Sequence, residues 1–210
     1  MINTIEENKE AKIEVKKSQF ISNMFYVESE EDAKKYIDEI KSKYHDAKHV
    51  CYAYVIDDIT DEGNSFRIEK SSDNGEPSGT AGAPMLDILK KSNLSNVLVT
   101  VTRYFGGILL GTGGLVRAYS DATQECLATC SIIKKEIGKE IKIVIDYSDQ
   151  KNFKYQCDSI GINIIGNEFG EKIVEIIESN DENFSTLRNK AINFTTFEVQ
   201  DEGKYKFIRI

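Results

Sequence analysis

Residues 99–120, VTVTRYFGGILLGTGGLVRAYS, put five of the chain's fourteen glycines into nine positions and carry Arg103 and Arg117 on their flanks. An apolar run at 97–101 leads into the glycines, and helix-compatible sequence follows them directly. A strand, a flexible loop and a helix start in that order leave main-chain N–H groups without partners, an arrangement that receives anions. Two guanidinium groups beside such donors would fork onto phosphate or carboxylate. Arg103, Tyr104, Gly106, Gly107, Gly111, Thr112, Gly113, Gly114 and Arg117 are therefore the candidate binding set, with Tyr104 offering a ring for stacking.

Two phosphate motifs come close here and fail. Gly106 to Gly111 has the G-x-x-x-x-G spacing, but Thr112 stands where a P-loop needs lysine. Gly111 and Gly113 begin G-x-G-x-x-G, yet Val116 takes the last glycine position. A purely structural use of these glycines, in turns and close helix packing, stays open.

A second polar segment, residues 71–86 (SSDNGEPSGTAGAPML), holds both prolines of the chain. Asp73, Asn74, Gly75, Pro77 and Gly79 are turn formers, and Thr80 is placed to cap a helix running from 81 to about 91. Pro84 is tolerated in its first turn. Asp73, Gly75, Glu76, Thr80 and His49 make up the expected supporting set, with Asp73 and Glu76 expected to order Arg103 or Arg117. His49 and Cys51, two apart in an expected strand, point to one side.

The segments DNGEPSGTAGAPML and VTRYFGGILLGTGGLVRAYS, preceded by KHVCYAYVID at 48–57 and KKSQFIS at 16–22, resemble the signature of the YigZ/IMPACT family. Together they span about the first two-thirds of the chain. Asn74 departs from the family, which more usually has aspartate there, so any role for a carboxylate at that position is in doubt. The resemblance implies an N-terminal domain similar to domain IV of elongation factor G, with a ribosomal-protein-like fold. It also implies a small C-terminal domain similar to that factor's domain V. Eukaryotic relatives control translation initiation by competing for an activator of a stress kinase, and bacterial relatives are usually proposed to bind nucleic acid or the ribosome. The implied partners are thus RNA, the ribosome or a protein of translation control.

Bulk properties set limits. The 210 residues suffice for one or two domains, with 30% charged and 40% hydrophobic side chains, as in a water-soluble globular protein. No apolar run approaches the roughly 20 residues of a membrane span. The first residues, MINTIEENKEAK, have no signal-peptide pattern, so the expected compartment is the cytoplasm and no membrane partner is expected. The net charge of −8 divides into −5 before residue 138 and −3 after it. Residues 88–120 reverse the sign, with Lys90, Lys91, Arg103, Arg117 and no acid. A small positive face on an acidic body suits a specific site rather than sequence-independent coating of nucleic acid.

Catalytic and metal signatures are thin. No G-x-S-x-G, H-E-x-x-H or Walker lysine is present. Cys51, Cys126, Cys130 and Cys157 include no C-x-x-C pair, and Cys126 and Cys130 fall on one helical face as core thiols. A Cys51 nucleophile with His49 as base is conceivable, as is acid–base work by Asp73 and Glu76 in a buried pocket. The reading adopted is a non-catalytic binding protein linked to translation that contacts RNA or the ribosome through the Gly/Arg-rich face, with no cofactor and no metal; a protein-interaction regulator without nucleic-acid binding and a phosphate-ligand enzyme are the alternatives.

The elements that position these residues follow from periodicity. Strands are expected at 12–16, 20–27, 50–56, 64–69 and from 97. Ser29 and Asp32 signal the start of a helix striped by Ala33, Tyr36, Ile37, Ile40 and Tyr44. A helix from about 113 to 130 turns Leu115, Ala118, Tyr119, Ala122, Cys126 and Cys130 inward, leaving Arg117 free to reach its loop. After residue 137 the pattern restarts as strand 140–147, helix 148–160, strands 162–168 and 172–178, a helix from 181, then strands 194–199 and 204–210. That is the split β-α-β order of a ferredoxin-like domain plus an extra strand. The fold class is α+β, with domains at 1–137 and 138–210.

Overall fold

The computed structural model describes all 210 residues, Met1–Ile210. The chain is α+β and divides into two compact units: Ile2–Asp58 with Ser65–Ile133, and Lys134–Ile210 with Met1 and Ile59–Asn64. No helix is long and apolar enough to cross a membrane.

The first unit holds short β1 (Ile2–Ile5) and a five-stranded sheet of β2 (Lys9–Val15), β3 (Ser18–Tyr26), β4 (His49–Ile59), β5 (Ser65–Ser72) and β6 (Val97–Tyr104). Its strand order is β2-β3-β6-β4-β5. Strands place successive side chains on opposite faces, and β6 uses both. Val97, Val99 and Val101 face a core shared with α2 (Gly82–Lys91) and α3 (Gly111–Ala128). Leu98 faces the other way, into a smaller core under α1 (Glu30–Lys43) with Ala33, Ile37, Tyr54 and Ile56. Being covered on both faces explains why β6 reads as a continuous apolar run. Helix α1 starts as its sequence predicts, Ser29 Oγ accepting the Asp32 N–H at 3.1 Å.

Helix α2 starts differently from expectation. Thr80 is not its cap: its hydroxyl donates to the Pro77 carbonyl at 2.6 Å, and the N-cap position belongs to Ala81, which has no side-chain bond. Asp73 does the capping from a distance in sequence, because a charged carboxylate is a stronger acceptor than a neutral hydroxyl. Helix α3 begins at Gly111, two residues before the expected start, and its inward face is Leu115, Ala118, Tyr119, Ala122 and Cys126.

The second unit contains β7 (Ile132–Ile145), α4 (Gln150–Ile160), β8 (Asn163–Phe169), β9 (Ile173–Ser179), α5 (Asp181–Lys190) and β10 (Phe197–Arg209). Within this unit β10 pairs with β7, β7 with β9 and β9 with β8, each antiparallel. Ile141, Ile143, Ile145, Ile173 and Ile177 pack in one core with Phe153 and Cys157 of α4 and Phe184 and Leu187 of α5. This is the β-α-β-β-α-β order of the split β-α-β motif. The expected extra strand does not exist. Residues 197–209 form one strand that pairs with β7 from end to end, and register shifts at Val199/Asp201 and Glu202/Tyr205 absorb the apparent turn.

Candidate functional site

One end of the first unit's sheet aligns three side chains on the helical face. Arg103 of β6 lies directly opposite Phe20 of β3 on one side and His49 of β4 on the other. The Arg103 side chain is 93% buried, and its guanidinium carbon sits 5.6 Å from the ring centres of both Phe20 and Phe105. Burial of such a charge requires a partner, and Glu76 supplies it: Nη1 donates to Oε1 at 2.7 Å. Tyr119 of α3 donates to the same oxygen at 2.9 Å. The Cys51 thiol continues the chain, lying 3.4 Å from the Tyr119 hydroxyl and donating to the Asp73 carbonyl at 2.9 Å. Burial pushes the Cys51 thiol up to about 12 and the Tyr119 hydroxyl well above its ordinary value, so both stay protonated at neutral pH.

The loop 73–82 is built around two residues. Asp73 accepts the N–H of Gly79 at 2.8 Å and those of Ala81 and Gly82 at 2.9 Å each. Partial burial opposes its charge, but the three N–H bonds hold the carboxyl below its usual range. Asn74, at φ +39°, donates from its amide to the Val50 carbonyl at 3.0 Å, a bond that a carboxylate cannot make. The Asn74 carbonyl accepts from His49 Nδ1 at 3.0 Å, which leaves Nε2 of the neutral ring as the unprotonated nitrogen. Gly75 has φ +86°, and a Cβ there would stand 3.2 Å from His49 Nδ1, so the imidazole sits where a side chain would be. His49 and Cys51 thus each bond a loop carbonyl instead of each other, and no thiol–base pair forms.

The loop after β6 crosses the turn between β2 and β3 at very close range. A Cβ on Gly106 would lie 2.0 Å from the Lys17 carbonyl carbon, and its N–H donates to Ser18 Oγ at 3.1 Å. Only glycine permits that approach. Gly107 follows at φ +84°. The apolar residues beyond are turned outward: Phe105 is 58% exposed, Ile108 43% and Leu109 82%. Helix α3 then begins with no side-chain cap and no acid in its first turn.

Between these parts lies a cavity of about 430 Å³. Pro77, Phe105, Leu109, Leu110 and Leu115 make its apolar walls. Lys48, His49, the Arg103–Glu76 pair, Gly111 and Thr112 supply its polar contacts.

Of the residues singled out from sequence, the structure brings Arg103, Glu76, His49, Gly111 and Thr112 to this cavity. Asp73 and Gly75 hold the loop behind it. Thr80 is buried in that loop, while Gly106 and Gly107 shape the crossing and Gly113 and Gly114 belong to the first turn of α3 without lining the cavity. Tyr104 goes to the other side of the sheet, where its hydroxyl donates to Asp46 at 2.7 Å and its ring meets Tyr44 edge-on. Alternation along β6 dictates this once Arg103 faces α3. Arg117 is exposed on α3, has no ion pair or hydrogen bond and does not line the cavity, so the two guanidinium groups do not converge. The sequence reading missed Lys48 and the apolar wall. The signal for the wall was present in FGGILLG, four large apolar residues in a glycine loop too short to bury them.

Comparison with known proteins places these features in context. The Impact N-terminal domain model matches residues 16–127, which contain every residue of the cavity. The IMPACT family member YvyE of Bacillus subtilis is 41% identical over 145 residues, 69% of this chain and 64% of that protein. An IMPACT family member of Haemophilus influenzae is 40% identical over 163 residues, 76% of each chain. A crystal structure of a hypothetical protein superposes with a TM-score of 0.64 at 26% identity, covering 100% of this chain and 97% of that one. The chain belongs to the Impact N-terminal domain family.

Proposed function

We propose that this chain is a non-catalytic regulator linked to translation that works in the cytoplasm by docking a protein partner at the cavity beside the start of α3. The translational link rests on membership of the Impact N-terminal domain family. One observation carries the protein-docking part. The Arg103 guanidinium, which a phosphate would need, is buried and bound to Glu76, whereas Phe105 and Leu109, which line the cavity, stand largely in solvent. Exposed apolar groups around a pocket mark protein interaction sites. The net charge of −8 also opposes broad contact with a polyanion.

The test is capture from lysate by the tagged full chain, with and without ribonuclease. A defined protein partner should survive ribonuclease, fall by roughly 30-fold or more in Leu109→Asp, the scale of an interface hot spot, and be unaffected by Arg117→Ala. Capture of RNA or ribosomal subunits that disappears with ribonuclease and requires Arg117 would replace this reading with nucleic-acid contact.

A further inference from the structure

The cavity carries more positive character than apolar docking needs. Arg103 Nε is a buried donor with no acceptor, in a guanidinium whose one hydrogen bond goes to Glu76 through Nη1. The first turn of α3 presents main-chain N–H groups that no side chain caps, and Gly111 and Thr112 of that turn line the cavity. Lys48 stands exposed at the rim. The one carboxylate facing this space, Glu76, is neutralised by Arg103 and also accepts from Tyr119. No acid occurs from residue 88 to 120. What fits is a ligand with an apolar body and one anionic end.

The volume narrows the choice. At about 430 Å³ the cavity is near the small end for ligand sites, with room for one or two residues. A single residue that offers both an apolar side chain and a carboxylate is a chain terminus. We infer that the cavity receives the C-terminal residue of the partner protein, resting on the docking reading above. The apolar side chain lies against Pro77, Leu110 and Leu115, and the free carboxylate faces the α3 N–H groups and Lys48. Main-chain capture of a terminal carboxylate is an established recognition mode.

The experiment is an NMR titration of the ¹⁵N-labelled full chain with two tetrapeptide pairs ending in Phe or Leu, each as the free acid and as the C-terminal amide. The free acid of at least one pair should shift the Gly111 and Thr112 amides and bind at least tenfold more tightly than its amide. That advantage should shrink severalfold in Lys48→Ala and at high salt. Equal binding of acid and amide, shifts confined to other parts of the chain, or no shift with any of the four peptides overturns the proposal. These outcomes are separable from the docking reading: partner capture that still depends on Leu109 while acid and amide behave alike leaves docking intact and removes only the carboxylate.

Discussion

Helices α2 and α3 pack side by side on one face of the same sheet, yet their N-termini are finished in opposite ways. The α2 start is closed from within, because Asp73 reaches across the loop to take the N–H groups of Gly79, Ala81 and Gly82. The α3 start has no side-chain cap and no acidic residue in its first turn. Both helices meet the same physical requirement, N–H groups at the start that lack intrahelical partners, one fewer at α2 because Pro84 in its first turn has no N–H. One meets it with its own carboxylate, and the other presents those donors to a cavity with apolar walls. The difference separates a helix start closed by a carboxylate of the chain from one left without a side-chain cap beside a cavity.

The largest effect expected in breaking this comparison lies in the ion pair that joins the two regions. Glu76→Ala strips Arg103 of its counter-charge and Tyr119 of its acceptor, both inside the protein. Removing one member of a buried pair costs about 3–5 kcal/mol, so urea unfolding should show a loss of that size. A loss under about 1 kcal/mol would mean that water reaches the guanidinium freely.

Next in size is the closed helix start. Asp73→Asn should cost about 1–2 kcal/mol at neutral pH, the scale of a lost charged cap. Because the folded carboxyl lies below its unfolded value of about 3.9, its contribution is fully present above that pH and fades as pH falls through the folded value. The Tm gap between wild type and Asp73→Asn should therefore be wide at pH 6 and narrow toward pH 3. A gap constant with pH would contradict the capping role.

The smallest effect tests the open start. Thr112→Asp puts an anion in the first turn of α3 at an exposed position. It should raise stability by about 0.3–1 kcal/mol through the helix dipole. If the α3 start takes a partner's carboxylate as proposed, the same substitution should weaken partner capture by filling that place. Unchanged capture would mean that the α3 donors are not used.

The sequence was most readable where a signal was local. Ser29 announced α1, the β-α-β-β-α-β order could be followed through residues 138–210, and Glu76 was already within reach of Arg103 as a partner. Readability failed where the partner was remote or the signal ambiguous. The α2 cap went to Asp73 because its reach depends on how the loop 73–82 folds back, which no spacing rule encodes. The apparent turn at 201–203 turned out to be a pair of bulges, since β7 is long enough to hold both halves of β10. Tyr104 and Arg117 looked like members of one site only while sequence proximity stood in for direction. Strand alternation sends the first across the sheet, and α3 holds the second outside the cavity.

Amide hydrogen exchange on the full chain, alone and in complex with a captured partner, tests the account most directly. New protection should concentrate in Phe105 and residues 107–114 and extend to Lys48 and His49. Protection confined to the unit formed by Lys134–Ile210, with residues 105–114 exchanging as in the free protein, would contradict docking at α3.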